Sequence, residues 1–468
     1  MAEKADVIVV GMGPGGEDVA GSLATSGLKV VGIEKALVGG ECPYWGCVPS
    51  KMMIRAANLL AESRRVSGIA GETDVRPDWA PVAQRIRLEA TDNWDDKVAV
   101  DRFVNKGGEF VRGFGRLLGP DRVAVAGREF EARRGIVLNV GTSPAVPPIP
   151  GLADVPYWTN RQAVQVEQLP RSLIVLGGGA IGLELAQVFA RFGVRVSVIE
   201  AMPNLLPMEE PEAGILLAKI LESEGIEVRT GRRAVAVEQQ GVEIGVTLAS
   251  SDRIVAERLL VAVGRRANIA DIGLEQAGVT VHKGFIKVDE HMRAGSGIWA
   301  IGDATGHGAF THVSMYQARI ATADILGQAH TSADYRALPR VTFTDPEVGA
   351  AGLTERQARD QGIAVRVGIG DQASTARGWI HKVGNQGFIK LVEDADRGVL
   401  VGATAMSPVG GEILSMLTLA IHTQVPTAEL RNMIYAYPTF HRGMEDALAA
   451  LERSQKAAPK KAATTRAA

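Results

Sequence analysis

Three observations in the 468-residue sequence predict an α/β fold with two Rossmann-like domains, followed by a C-terminal α+β domain. First, residues 6–10 read as a short buried strand, Gly11, Gly13, Gly15 and Gly16 as a tight turn, and a helical pattern then leads to a strand ending in Glu34. Second, the same unit returns. Strand 173–176, the turn Gly177, Gly178, Gly179 and Gly182, a helix carrying Glu184 and strand 194–199 lead to Glu200. First glycine and acid are 23 residues apart in both copies. Third, from Leu338 onward the pattern changes to strands at 341–344, 387–392 and 399–405, with helices at 410–423 and 441–451.

Glycines allow a sharp turn and bring a pyrophosphate close to a helix N-terminus, while the acid meets ribose hydroxyls. A lone glycine fingerprint says little. Strand, turn, helix, strand and acid in one order, twice, imply two dinucleotide-binding domains. Between the copies, Gly113, Phe114 and Gly115 precede a hairpin region near 123–125, and 136–140 reads as a strand ending in Gly141, Thr142 and Ser143. The proline-rich stretch 144–151 is a natural crossover. The expected division is a first domain at 1–149, a second at 150–263, a return to the first at 264–336, and a third at 337–455. In the return, 298–303 reads as a strand ending in glycine and Asp303.

Apolar residues make up 46% of the chain, enough to core about three domains. A net charge of −2 with no sustained basic face argues against a nucleic-acid partner. No apolar run approaches the roughly 20 residues of a spanning helix, so the expectation is a cytoplasmic protein with no membrane partner. Residues 456–468, alanine-rich with four basic residues and no acid, read as a disordered tail.

The only two cysteines are Cys42 and Cys47, with four residues between them and Gly39, Gly40 and Gly46 beside them. Pro49 and Ser50 suit the first turn of a helix that 52–60 continues, which places Cys47 at its N-terminus, where amides and the dipole favour a thiolate. Lys51 lies one turn on and adds positive charge. A structural bridge is disfavoured because large proteins with few cysteines rarely need one. Two thiolates alone are an incomplete zinc set, so no metal site is expected. A redox-active pair is the reading.

With these residues in view, the chain resembles the class I pyridine nucleotide–disulfide oxidoreductases, which include dihydrolipoamide dehydrogenase, glutathione reductase and mercuric reductase. The match runs from Val7 to about Leu451 and adds Gly264, Arg265, Gly302, Asp303 and the run 344–349 to the motifs above. The stretch 46–57 looks most like the mercuric reductase core. The resemblance implies FAD held by Gly11, Gly13, Gly15, Gly16, Glu34, Lys35, Gly40, Lys51, Gly115, Thr142, Asp303 and Thr311. It implies a nicotinamide dinucleotide at Gly177, Gly178, Gly179, Ile181, Gly182, Glu200 and Gly264. Lys51 and Glu184 would pair beside the flavin, Cys47 would be the flavin-proximal thiolate, and Cys42 the thiol that meets the acceptor. The third domain would be a dimerisation domain that completes the site across a homodimer. Glu200, with no arginine in the following turn, favours NADH over NADPH.

The resemblance breaks at the C-terminus. Tyr437 stands where disulfide-reducing relatives carry an acid–base histidine, and Arg442 where they carry the glutamate that orients it. Tyrosine titrates near 10 and is a poor base at neutral pH. His441, four residues on, is the alternative. The chain ends without the cysteine pair that mercuric reductases use to hand over their metal. Between the cysteines, Pro43, Tyr44 and Trp45 replace smaller residues, and packing is the expected role. The reading is an NADH-dependent flavoprotein whose small-molecule electron acceptor is a metal ion, a quinone or an unusual disulfide. The alternatives are a dihydrolipoamide dehydrogenase, or an FAD-binding redox sensor without sustained turnover.

Overall fold

The structure of the chain, a computed structural model, describes residues 2–457. Residues 458–468, most of the segment expected as a disordered tail, lie outside the described residues. The unbroken apolar runs behave as strands covered on both faces. Glu3–Val10 lies between Val30–Glu34 and Arg128–Leu138, parallel to both, with Val7 opposite Val30 and Val10 opposite Ile33. Glu109–Arg112 and Ile298–Ala300 extend this sheet on either side. Val7 and Val9 face a core with Met12, Leu23 and Trp299, and Ile8 and Val10 face another with Ile33, Ile136 and Leu138. Helices Pro14–Thr25 and Thr311–Leu326 pack together on the first of these faces.

The second sheet is four parallel strands in the order Glu227–Arg229, Arg195–Ile199, Ser172–Leu176 and Arg258–Val261. Helix Ala180–Arg191 covers one face through Leu183, Val188 and Phe189. An antiparallel meander at Ala234–Gln240, Glu243–Leu248 and Arg253–Ala256 closes the other, a unit the sequence reading does not contain.

The third sheet is antiparallel, in the order Pro339–Thr342, Glu347–Gly352, Val399–Ser407, Phe388–Asp394 and Val365–Asp371. Helices Gly410–His422 and Met444–Ala457 pack against it. The second begins three residues later than expected, because His441–Gly443 forms a tighter 3-10 turn. Strand Phe388–Asp394 is buried throughout, Lys390 included. Lys390 Nζ donates to Glu210 Oε2 at 2.9 Å and Glu212 Oε1 at 2.7 Å, and lies 3.0 Å from Glu355 Oε2. Beside it, Arg340 forks onto Glu209, both bonds 2.9 Å. A buried ammonium persists only when paired in this way. Glu209, Glu210 and Glu212 sit at the start of helix Pro211–Ser223, so these pairs tie the second sheet's unit to the third. Among the described residues no helix is long and apolar enough to cross a membrane.

Candidate functional site

Helix Cys47–Arg64 begins at Cys47, after Gly46 as N-cap. Both cysteines are free thiols, and they interact through a hydrogen bond. That bond from Cys42 is the largest influence drawing the Cys47 pKa down to about 6, followed by the Thr311 hydroxyl, 3.4 Å from its sulfur, and the charge of Lys51, all against burial. The same bond pushes Cys42 up, since its proton is the one shared. One thiolate beside one protonated thiol is the reduced form of a disulfide pair.

Lys51, one turn along, donates to Glu184 Oε2 at 2.8 Å, while Glu184 Oε1 accepts from the Phe343 amide at 2.9 Å. The Lys51 ammonium lies 4.6 Å from the centre of the Phe343 ring. Glu184 is 5% exposed, so its charge depends on these partners. The helix bearing Glu184 is fastened along one face. Gln187 exchanges two bonds with the Asp345 backbone, at 2.8 and 2.9 Å, and Arg191 donates to Asp345 Oδ2 at 2.8 Å.

The two glycine loops are built alike. Glu34 Oε2 accepts from the Met12 amide at 2.8 Å and Oε1 from the Ala36 amide at 2.7 Å. Glu200 Oε2 accepts from Gly178 at 2.6 Å and Oε1 from Met202 at 2.7 Å. Gly11 and Gly177 both take positive φ, +93° and +110°. A Cβ there would lie 2.2 Å from the Asn139 carbonyl oxygen in one case and 2.4 Å from that of Ala262 in the other. Only glycine fits either turn.

A cavity of about 870 Å³ joins these parts. Gly13, Glu34, Lys35, Gly40, Cys42, Cys47, Lys51, Thr142, Asp303, Thr311, Ile181 and Glu184 line it, and a smaller pocket beside Gly11, Glu34, Lys35 and Gly115 adjoins it. Gly15 and Gly16 lie behind the wall in helix Pro14–Thr25. The volume suits a cofactor pocket. A Cβ at Gly40 would come within 3.1 Å of the Gly13 Cα, so the wall there accepts a ligand only because side chains are absent. The donor set fits FAD: helix amides at Gly13, a carboxylate at the end of the second strand in Glu34, and Asp303, whose carboxyl burial pushes above its usual range while Thr142 and Arg265 oppose. Gly177, Gly178, Gly179, Gly182, Glu200 and Gly264 lie outside the cavity, and Ile181 reaches it from their side.

Tyr437 and His441 do not line the cavity of their own chain. Tyr437 is 68% exposed with the Arg442 guanidinium 5.0 Å from its ring centre. His441 is half-buried, its Nε2 2.9 Å from Met416 Sδ, and burial lowers its pKa. Arg442 pairs with Glu445 at 2.7 Å rather than orienting an imidazole. Among the described residues no cluster of three or more His, Cys, Asp or Glu is arranged to hold a metal. Several residues escaped the sequence reading: Asn139, whose Oδ1 accepts from Gly16 at 2.8 Å, and Asn160, Arg161 and Phe343. An asparagine directly after the apolar run 136–138 was the one local signal.

Residues 5–322 match the model for the pyridine nucleotide-disulphide oxidoreductase family, and 338–448 that family's dimerisation domain. The dihydrolipoyl dehydrogenase of Thermus scotoductus is 35% identical over 466 residues, covering 96% of this chain and 97% of that one. The mercuric reductase of Streptomyces lividans is 30% identical over 455 residues, covering 94% of each. Among solved structures, the HOCl-induced flavoprotein disulfide reductase RclA of Escherichia coli has a TM-score of 0.83 at 26% identity, covering 95% of this chain and 99% of RclA. RclA has also been solved as a Cu(II) complex, again with a TM-score of 0.83.

Proposed function

Because the chain belongs to the pyridine nucleotide-disulphide oxidoreductase family, whose members use FAD and NAD(P)H, we propose that it is an NADH-dependent reductase delivering electrons from Cys42–Cys47 to an acceptor other than a small linear disulfide. A thiophilic metal ion, a quinone or an unusual disulfide is the acceptor class. The observation that carries this is the acid–base position. Tyr437 occupies it, and the neighbouring imidazole of His441 is turned against Met416. Thiol–disulfide exchange needs a proton donor and acceptor near neutrality, worth roughly 10²- to 10⁴-fold in rate. Reduction of a metal ion by a thiolate pair does not.

Bound FAD would supply the hydride-accepting and electron-pair-donating chemistry that links the nicotinamide to the disulfide. The chain supplies the rest. Lys51 and Glu184 would place opposite charges beside the bound cofactors, Thr311 and Lys51 stabilise the Cys47 thiolate, and Cys42 holds the proton that is released when the pair gives up its electrons and closes to the disulfide. Glu200 puts a carboxylate beside the second ribose, which favours NADH by repelling a 2′-phosphate. The reading includes a cytoplasmic homodimer in which the exposed Tyr437 of each subunit faces the cysteines of the other.

A screen under NADH, scored by kcat/KM, tests this. Copper(II), mercury(II) or a naphthoquinone should exceed lipoamide at least about tenfold, a difference of about 1.4 kcal/mol. The similarity to dihydrolipoyl dehydrogenases over 96% of the chain favours a second reading, and lipoamide as the best acceptor would establish it. In an anaerobic NADH titration, a long-wavelength thiolate–flavin band should appear and be absent in Cys47→Ser. Without that band, a sensor without turnover becomes the better account.

A further inference from the structure

The loop between the cysteines is held from outside its own helix. Glu41, immediately before Cys42, accepts from Arg161 Nε at 2.9 Å and also bonds that residue's Nη2. Its second oxygen accepts from Asn160 Nδ2 at 3.0 Å and lies 3.7 Å from Arg265 Nη2. Asn160 Nδ2 also donates to the Trp45 carbonyl at 2.8 Å, and the Arg161 guanidinium sits 4.3 Å from the centre of the Trp45 ring. Arg265 continues to the cofactor cradle, donating to Thr142 Oγ1 at 2.7 Å, and Thr142 donates to Asp303 Oδ2 at 2.7 Å. All of these residues line the one cavity.

A carboxylate adjoining the cysteine loop disfavours a thiolate in it. Two arginines on that carboxylate cancel the effect. Helix Asn160–Val164 is fixed by a capping box at Thr159 and Gln162, so Arg161 arrives on a rigid support. A bidentate fork also holds Glu41 in one orientation, which a lone ammonium would not.

We propose that Glu41 and Arg161 are a positioning pair for the cysteine loop, which braces Trp45 and balances the field in which Cys42 and Cys47 exchange protons and electrons. The pair acts through the sulfurs and touches no reacting atom itself. It rests on the reading of Cys42–Cys47 as the redox pair. The charged and titratable groups around the sulfurs are Lys51 on the helix that Cys47 begins, Glu184 paired with Lys51, Glu41 immediately before Cys42, Arg161 and Arg265 behind Glu41, Asp303 beyond Thr142, and His312 next to Thr311. Glu41 and Arg161 carry opposite charges on the same brace, which gives a test that a loss of rigidity cannot imitate.

The experiment titrates the Cys47 thiolate in chemically reduced holoenzyme, by thiolate absorbance and by iodoacetamide alkylation rate against pH. Glu41→Gln removes the negative charge and should lower the thiolate pKa by about half a unit. Arg161→Gln removes the positive charge and should raise it by a similar amount. The double variant should return close to the native value, since the two opposite shifts add. Shifts of the same sign in both single variants, or none in either, overturn the proposal. Should Arg161→Gln not fold, Arg161→Lys takes its place and should leave the pKa close to native, since it keeps the charge, while lowering the protection of Trp45 from fluorescence quenchers. Whether NADH generates two new thiols in the same native sample is scored separately. That count fails if the redox reading fails, whereas the titration does not depend on it.

Discussion

The two acid-capped glycine loops make the same two hydrogen bonds, but one is closed over and the other open. At the first loop, a Cβ on Gly15 would lie 2.3 Å from Ser314 Oγ, and one on Gly13 would lie 3.1 Å from Asn139 Oδ1. Helix Thr311–Leu326 and Asn139 form a second wall there. At the second, a Cβ on Gly179 would meet nothing within 4 Å. Glycines at the start of each turn are forced by the protein's own backbone, whereas Gly179 has open space beside it. A walled loop suits a dinucleotide that stays, an open one a dinucleotide that comes and goes.

The largest break in this comparison is at the forced glycines. Gly11→Ala places a side chain at φ +93° and into a carbonyl 2.2 Å away, a loss of about 4 kcal/mol or more, read as absent flavin absorbance and a collapsed melting transition. Gly179→Ala sharpens the contrast. Its melting temperature and flavin content should stay native while the KM for NADH rises several-fold.

Lys51→Ala leaves Glu184 buried without its cation, at a cost of about 1–3 kcal/mol, discounted because Lys51 is a third exposed, and stopped-flow reduction by NADH should slow. Smaller still, Glu200→Gln should raise the NADPH-to-NADH ratio of kcat/KM about tenfold without touching the first loop. The smallest effect is on rate alone. Alkylation of the reduced pair should rise with pH through about 6 and then level, since the Cys47 thiolate is the reactive form and Cys42 stays protonated.

Much of this was legible because its signals are local. The glycine-to-acid spacing requires only 23 residues of chain, and Cys47 at a helix start follows from Gly46 and Pro49 nearby. What escaped depends on distance along the chain. Glu41 and Arg161 are 120 residues apart and Glu41 looks like an ordinary acid in a loop. Lys390 sits in the expected strand 387–392, where nothing local names its partners, which are 178 and 180 residues away. The meander at 234–256 was missed because its short strands carry many polar residues on their open side. His441 was weighed by its nearness to Tyr437 in sequence, whereas packing turned it toward Met416.

The Lys390 cluster and the Arg340–Glu209 fork have one more effect. They rivet the nucleotide-binding lobe to the last sheet, as the bonds of Gln187 and Arg191 to Asp345 do from another side. A swing of that lobe away from the last sheet would have to break the Lys390 cluster, the Arg340 fork and the bonds to Asp345 together.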